Sequence, residues 1–235
     1  MCTVTFLPLS DSDFILTSSR DEQPDRKTFF PKEYTEENVR LIFPKDEFAG
    51  GTWIGMSEKQ RLACLLNGAF EKHSRKESYR MSRGIVVKNI LKAEDLETYV
   101  ENFDFHDIEP FTLIIVDWSA ERKAYELVWD EETKYFSKLK DTPRIWSSAT
   151  LYTEDMKEDR RTWFADWLKN NPEFTQKSIL DFHHRKDLGE KGTTIFMYRP
   201  YVETVSITSV IKKENEVSML YEDVIREEKE EVFLK

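Results

Sequence analysis

A cysteine follows the initiator methionine in Met1-Cys2-Thr3-Val4-Thr5-Phe6, and a Ser19-Arg20-Asp21-Glu22 cluster stands where a hairpin would return it to that cysteine. Removal of Met1 would leave Cys2 with an α-amine of pKa about 7.7–8.0 beside a thiol of pKa about 8.5, placing base and nucleophile on one residue. Arg20 would favour the thiolate electrostatically, and Asp21 could orient the amine. The competing readings are a small buried hydrophobe for Cys2 and an exposed ion-pair cluster for the triplet.

Alternation supports the first arrangement. Cys2, Val4 and Phe6 alternate with Thr3, Thr5 and Leu7, and Phe14, Leu16 and Ser18 alternate with Ile15, Thr17 and Ser19, so both runs read as strands. Ser10-Asp11-Ser12-Asp13 supplies turn chemistry after Pro8. A hairpin centred there sets Cys2 opposite Ser19 or Arg20.

At 235 residues, 39% hydrophobic and 34% charged, the chain suits a single domain with a sizeable core, here rich in its 6 Trp, 9 Tyr and 16 Phe. No apolar run reaches membrane-spanning length, and no basic-then-apolar leader is visible at the start. Cys2 and Cys64 allow at most one disulfide, and the expectation is two reduced thiols in a cytoplasmic setting. A net charge of −10 argues against nucleic acid, whose phosphates draw Lys and Arg. The histidines His73, His106, His183 and His184 lack zinc-ligand spacing, and the adjacent pair His183-His184 reads as surface polarity. No metal and no cofactor are expected, the partner being a small-molecule substrate or ligand.

Gln23 to Glu47, broken by Pro24, Pro31 and Pro44, reads as a long covering loop. Gly51–Met56 and Leu62–Gly68 form a second predicted hairpin, with Asn67 at a strand end and Trp53 beside glycines. Trp53 also reads as core, and Gly50-Gly51 as a turn or bulge. Ser82 caps a helix through Ile85, Val86, Val87, Ile90 and Leu91, and a second follows with Leu96, Tyr99, Val100 and Phe103. Phe111–Asp117 and Ala124–Asp130 make a third hairpin, with Arg144–Ser148 a further strand of its sheet.

Thr153 caps a helix whose Met156, Arg160, Trp163, Phe164, Trp167 and Leu168 mark one face, and a short helix runs from about Gln176 to His184. Thr193–Tyr198, Thr204–Ile211 and Val217–Tyr221 read as strands, and the acidic end from about Glu222 as a solvated tail or frayed helix. Strands, helices, strands, helices and strands in that order describe an α+β protein of two mostly antiparallel sheets flanked by helices.

These residues resemble the NRDE family, which includes the transport and Golgi organization protein 2 group. The resemblance rests on Met1-Cys2, on Ser19-Arg20-Asp21-Glu22 where the family usually has Asn-Arg-Asp-Glu, on Gly50-Gly51-Thr52-Trp53-Ile54-Gly55, on Asn67, and on Ser82-Arg83-Gly84. It implies an N-terminal-nucleophile hydrolase fold, a four-layer α-β-β-α sandwich, and relatives that cleave amide bonds. It further implies that Cys2 attacks a carbonyl carbon, that Arg20 and Asp21 tune thiol and amine, and that Asn67 donates to the oxyanion. Ser19, Trp53, Ser147 and Ser148 are the candidate substrate contacts. The last two stand where the acylases carry a second oxyanion asparagine, and a serine hydroxyl can donate only one hydrogen bond. The resemblance equally admits a non-catalytic protein that holds haem or an acyl-CoA-like lipid. A soluble partner-binding protein with a merely structural Cys2 is the third reading.

Overall fold

A polar turn between two alternating runs makes the first hairpin. In the computed structural model, which describes residues 3–235, β1 (Thr3–Pro8) and β2 (Phe14–Glu22) pair antiparallel with Thr3 opposite Ser19 and Pro8 opposite Phe14. Ser10 Oγ accepts from the Ser12 and Asp13 amides, which closes the turn. Met1 and Cys2 lie outside the described residues, and with them the reading of Cys2 as nucleophile.

The chain divides into two compact units, residues up to Arg26 with Thr142–Phe233, and Lys27–Asp141 with Leu234–Lys235. The second unit is a seven-stranded antiparallel meander whose spatial order is its chain order. It opens with β3 (Thr28–Glu36) and β4 (Val39–Asp46), which correct the long loop expected over Gln23 to Glu47. Pro31 misled that reading. It sits on the edge strand where the β3–β4 register shifts between Phe29 and Lys32, a place where a missing N–H costs no ladder bond. The turn is Glu37-Asn38, both at positive φ (52° and 64°), the backbone of a two-residue hairpin loop.

Next come β5 (Ile54–Ser57) and β6 (Arg61–Asn67), the predicted second hairpin, then α1 (Arg83–Lys92) and α2 (Leu96–Asn102). Ser82 precedes α1 as expected, although its side chain makes no capping bond, whereas Asp95 caps α2 by accepting from the Thr98 amide. Arg61, buried on the α1 side of the sheet, donates from Nη1 to the Ile90 and Ala93 carbonyls and from Nε to Asp117 at 2.7 Å. It thereby satisfies carbonyls that the helix end leaves open. The unit closes with β7 (Phe111–Asp117), β8 (Lys123–Trp129) and β9 (Lys134–Lys138).

Two glycine motifs of the sequence prove to be one contact. A Cβ built on Gly84, in the first turn of α1, would stand 2.8 Å from the Thr52 nitrogen and 2.9 Å from its oxygen. One built on Gly51 would stand 3.0 Å from the Gly84 backbone. Gly50-Gly51-Thr52-Trp53 and Ser82-Arg83-Gly84 therefore meet backbone to backbone, which only glycine permits.

In the first unit, β10 (Arg144–Ser147) pairs with β1, Ser147 opposite Thr3, which corrects its expected place beside the third hairpin; β9 already occupies the β8 edge. Then follow α3 (Glu154–Asn170), capped by the Thr153 hydroxyl as predicted, and α4 (Gln176–His183), opened by a Thr175–Ser178 capping box. Their apolar faces pack on the sheet: Phe164, Ile179 and Phe182 join Leu7, Ile15 and Ile195, with Trp163, Trp167 and Leu168 against them. Burying each such side chain contributes about 1.5–3 kcal/mol.

The strand expected over Thr193–Tyr198 shrinks to β11 (Tyr198–Arg199), because that segment's backbone is committed locally: the Thr193 and Thr194 amides donate to Glu190, and both carbonyls accept from Arg160. The long β12 (Val202–Lys213) pairs with β2 on one side and with β13 (Glu216–Asp223) on the other. The acidic end is neither tail nor helix. It is β14 (Glu228–Leu234), the edge strand beside β13, where a mostly exposed position suits charged residues.

Candidate active site

The end of β2 sets its motif on alternate faces of the sheet. Ser19 and Asp21 share the face that α3 and α4 cover, and Arg20 points to the other; Arg20 is 3% exposed and Asp21 2%. An irregularity in β12 makes this arrangement possible. Asp21 pairs with Thr204 and Arg20 with Ser206, so Val205 is an extra residue that lets Thr204 fall on the Asp21 face while Ser206 falls on the Arg20 face.

Asp21 is fixed by two hydroxyl donors. The Tyr152 hydroxyl donates to one carboxyl oxygen at 2.8 Å and the Thr204 hydroxyl to the other at 2.6 Å. Thr204 Oγ1 in turn accepts from the Met197 amide at 2.9 Å, which leaves its proton for Asp21. The Tyr152 ring is covered by the Arg160 guanidinium, 3.7 Å from its centroid, a buried cation held against the ring's negative face. Arg160 Nη1 donates to Thr3 Oγ1, so a continuous set of contacts runs from Thr204 through Asp21, Tyr152 and Arg160 to the first described residue of β1.

Beside it stands a second buried group. His183 Nδ1 lies 2.7 Å from Ser19 Oγ and Nε2 lies 2.9 Å from Thr5 Oγ1. Burial, with the nearby His184 and Arg160 charges, pushes its pKa down to about 3, so the ring is neutral, one nitrogen donating and the other accepting. This corrects the reading of His183 as surface polarity. Its neighbour His184 faces elsewhere, 2.6 Å from the buried Glu222 carboxylate.

Of the residues singled out in the sequence, Ser19, Arg20, Asp21, Ser147 and Ser148 lie in the first unit. The Ser19 hydroxyl is engaged by His183; Ser147 is half-buried opposite Thr3; Ser148 is buried with Oγ 2.9 Å from Thr150 Oγ1. Trp53 and Asn67 belong to the second unit. Trp53 is 4% exposed and its carbonyl accepts from the Leu65 amide at 2.7 Å, while Asn67 ends β6 opposite Phe111. Cys64 is fully buried, as its place in a strand predicts.

The sequence reading gave no place at the site to Tyr152, Arg160, Thr204 or His183. The first three have partners more than a hundred residues away and carry no local signature. His183 did carry one, since it falls four residues after Ile179 on the apolar stripe of α4. Among the described residues no three His, Cys, Asp or Glu side chains gather as a metal site requires, and no helix is long and apolar enough to cross a membrane.

The fold is that of N-terminal-nucleophile hydrolases. The chain is similar to a variant of conjugated bile acid hydrolase from Clostridium perfringens (TM-score 0.55, 11% identity, covering 99% of this chain and 92% of that one). It is similar also to penicillin V acylase from Agrobacterium tumefaciens (TM-score 0.54, 13% identity, 99% and 86%). A third likeness is to the Caenorhabditis elegans ortholog of N-acylethanolamine-hydrolyzing acid amidase (TM-score 0.62, 11% identity, 88% and 92%). Identities this low show a shared fold and no more. No curated protein matches by sequence. The family model for Transport and Golgi organisation 2 matches residues 1–224, nearly the whole chain, and the protein belongs to that family.

Proposed function

We propose that the protein hydrolyses a C–N amide bond of a small molecule, with Cys2 as nucleophile and its α-amine as base. The observation that carries this reading is the buried Asp21, held by two hydroxyl donors at the end of the strand that pairs with the start of the chain. A carboxylate so held keeps lone pairs for a third donor, and an α-ammonium is the donor the reaction needs. Two of the structural neighbours are named as an acylase and an acid amidase, which fits the same bond.

In this mechanism Cys2 loses its proton to the α-amine and attacks the carbonyl carbon. The carbonyl electrons move onto oxygen, and the ammonium then protonates the departing nitrogen as the C–N bond breaks. Water cleaves the resulting thioester with the amine again as base. Arg20 stabilises the thiolate, Asp21 orients the amine, and Asn67 donates to the oxyanion. Trp53, Ser147 and Ser148 contact substrate. A cytoplasmic setting, in which the thiols stay reduced, belongs to this reading.

The test begins with the intact mass of the native protein and continues with an amide panel. Met1 should be absent, and Cys2→Ser should lower kcat/KM by at least about a hundredfold with the fold retained. Because Cys64 is buried, alkylation of the native protein reads Cys2 alone, and Arg20→Ala should raise the pH at which it reacts. Retention of Met1 in a native protein that cleaves none of the amides would sink the amine mechanism and favour the ligand-holding reading, in which haem or an acyl-CoA-like lipid is bound.

A further inference from the structure

At the β3 edge of the second unit's sheet, aromatic rings and ammonium groups share one face. The irregularity between Phe29 and Lys32 sets these residues, three apart, on the same side: Phe29 stands opposite Lys45 and Lys32 opposite Phe43, with Tyr34 next along. This is the face on which α1 packs, for a Cβ on Gly55 would meet both Leu91 of the helix and Phe43. The helix leaves the edge open. Its Lys88 lies over the Phe43 ring and bonds Glu36, while Phe29, 49% exposed, and the exposed Lys32 stand beyond it.

Two cations gather on this edge. Lys32 Nζ is 5.3 Å and Lys45 Nζ 5.8 Å from the centroid of the Tyr34 ring, which itself stacks on Phe43. Among the described residues no carboxylate lies within ion-pairing distance of Lys32, of Lys45 or of Lys27 just before the strand, whereas Lys88 and Lys92 of α1 pair with Glu36 and Glu37. Nearby acids are turned to other uses, Glu33 to Arg40 and the Asp46 carboxylate to the Ala49 amide, although the exposed Glu47 offsets part of the charge. In a chain of net charge −10, three cations grouped without a counter-ion are the footprint of an anionic partner.

β4 then ends in a turn that carries Phe48, 93% exposed. The turn is firmly bonded. Asp46 Oδ1 accepts from the Ala49 amide at 2.8 Å, the Asp46 carbonyl from the Gly50 amide at 2.9 Å, and the Lys27 carbonyl from the Glu47 amide at 3.2 Å, which ties the turn to the start of β3. A phenyl ring held out in water by such a turn gains nothing from the fold itself.

We infer that this edge docks on an anionic lipid bilayer, Phe48 and Phe29 entering the interfacial zone while Lys27, Lys32 and Lys45 meet headgroup phosphates. A projecting ring needs either a matching pocket in its partner or a fluid medium that closes round it, and aromatic rings flanked by lysines suit the headgroup zone. Pro31, which lacks an N–H, disfavours the addition of a partner's strand along the same edge. The inference is independent of the amidase reading.

The experiment is co-sedimentation of the full-length protein, in low salt, with vesicles of phosphatidylcholine alone and of phosphatidylcholine mixed with phosphatidylglycerol. The anionic vesicles should bind at least about tenfold more tightly, and about 1 M salt should remove most of that difference. Lys32→Gln with Lys45→Gln should weaken binding by about tenfold or more, and Phe48→Ser by about fivefold, with the melting temperature unchanged because none of these side chains is buried. Lys138→Gln with Lys140→Gln, the same loss of charge at the β9 edge of the sheet, should leave binding as it is. Equal weakening by the two double variants would mean that net charge alone decides and would overturn the inference, as would undiminished binding of Phe48→Ser. Failure to bind the anionic vesicles would also overturn it and assign the patch to an acidic protein partner.

Discussion

At the scale of single residues, His183 shows how a titratable group can be structural. Its ring is fully buried between Thr5 and Ser19 and its pKa is pushed from 6.5 down to about 3. The unfolded chain therefore binds this proton more tightly than the folded one. Stability is complete above about pH 6.5 and falls as pH drops from there toward about 3, with an eventual loss on the order of 5 kcal/mol. Urea melts at about pH 7.5 and pH 5 should differ by about 2 kcal/mol in the native protein, and His183→Gln should remove that component of the slope. A slope equal in both proteins would mean that the histidine titrates normally. Asp21 differs in kind, because two buried hydroxyl donors, Tyr152 and Thr204, hold its two carboxyl oxygens. Its environment is arranged for a carboxylate that must stay in one place.

At the scale of elements, the approach of α1 to the Gly51-Thr52 segment depends on the absence of two Cβ atoms. Gly84→Ala should destabilise by about 1–3 kcal/mol, since the added methyl meets backbone that cannot swing aside. Gly192→Ala, whose Cβ would find nothing nearer than 3.6 Å, should change stability by less than about 1 kcal/mol. Chemical denaturation of the two variants distinguishes a steric cause from the general effect of losing glycine. The same elements show what can be read from a sequence. The first hairpin was legible because strict alternation flanked a polar turn, and α3 because Thr153 and a periodic aromatic stripe marked it. β3 and β14 were not, because prolines and charges argue against strands in general while an edge strand accepts both. Arg20 and Asp21 were legible as a motif, yet Thr204, 183 residues from Asp21, was not, for only the extra residue in β12 brings its hydroxyl to the right face.

At the scale of the whole molecule, the two units are threaded differently. The second is nearly one continuous stretch, and every strand in its sheet pairs with its neighbour in the chain. The first is assembled from both ends of the polypeptide, and β2 is flanked by β1 and by β12, more than 180 residues further on. Local pairings form early and distant ones late, since closing a long loop must precede any gain from the contact. Pulse-labelled hydrogen exchange during refolding should accordingly protect the amides of Leu113–Val116 before those of Leu16–Ser19, and simultaneous protection would refute that order. On the ribosome the consequence concerns time. The strand that carries Arg20 and Asp21 is made within the first tenth of synthesis, but it has no Thr204 beside it until most of the chain has emerged. A reactive N-terminus would thus remain unarmed while the nascent protein is still surrounded by other amide bonds.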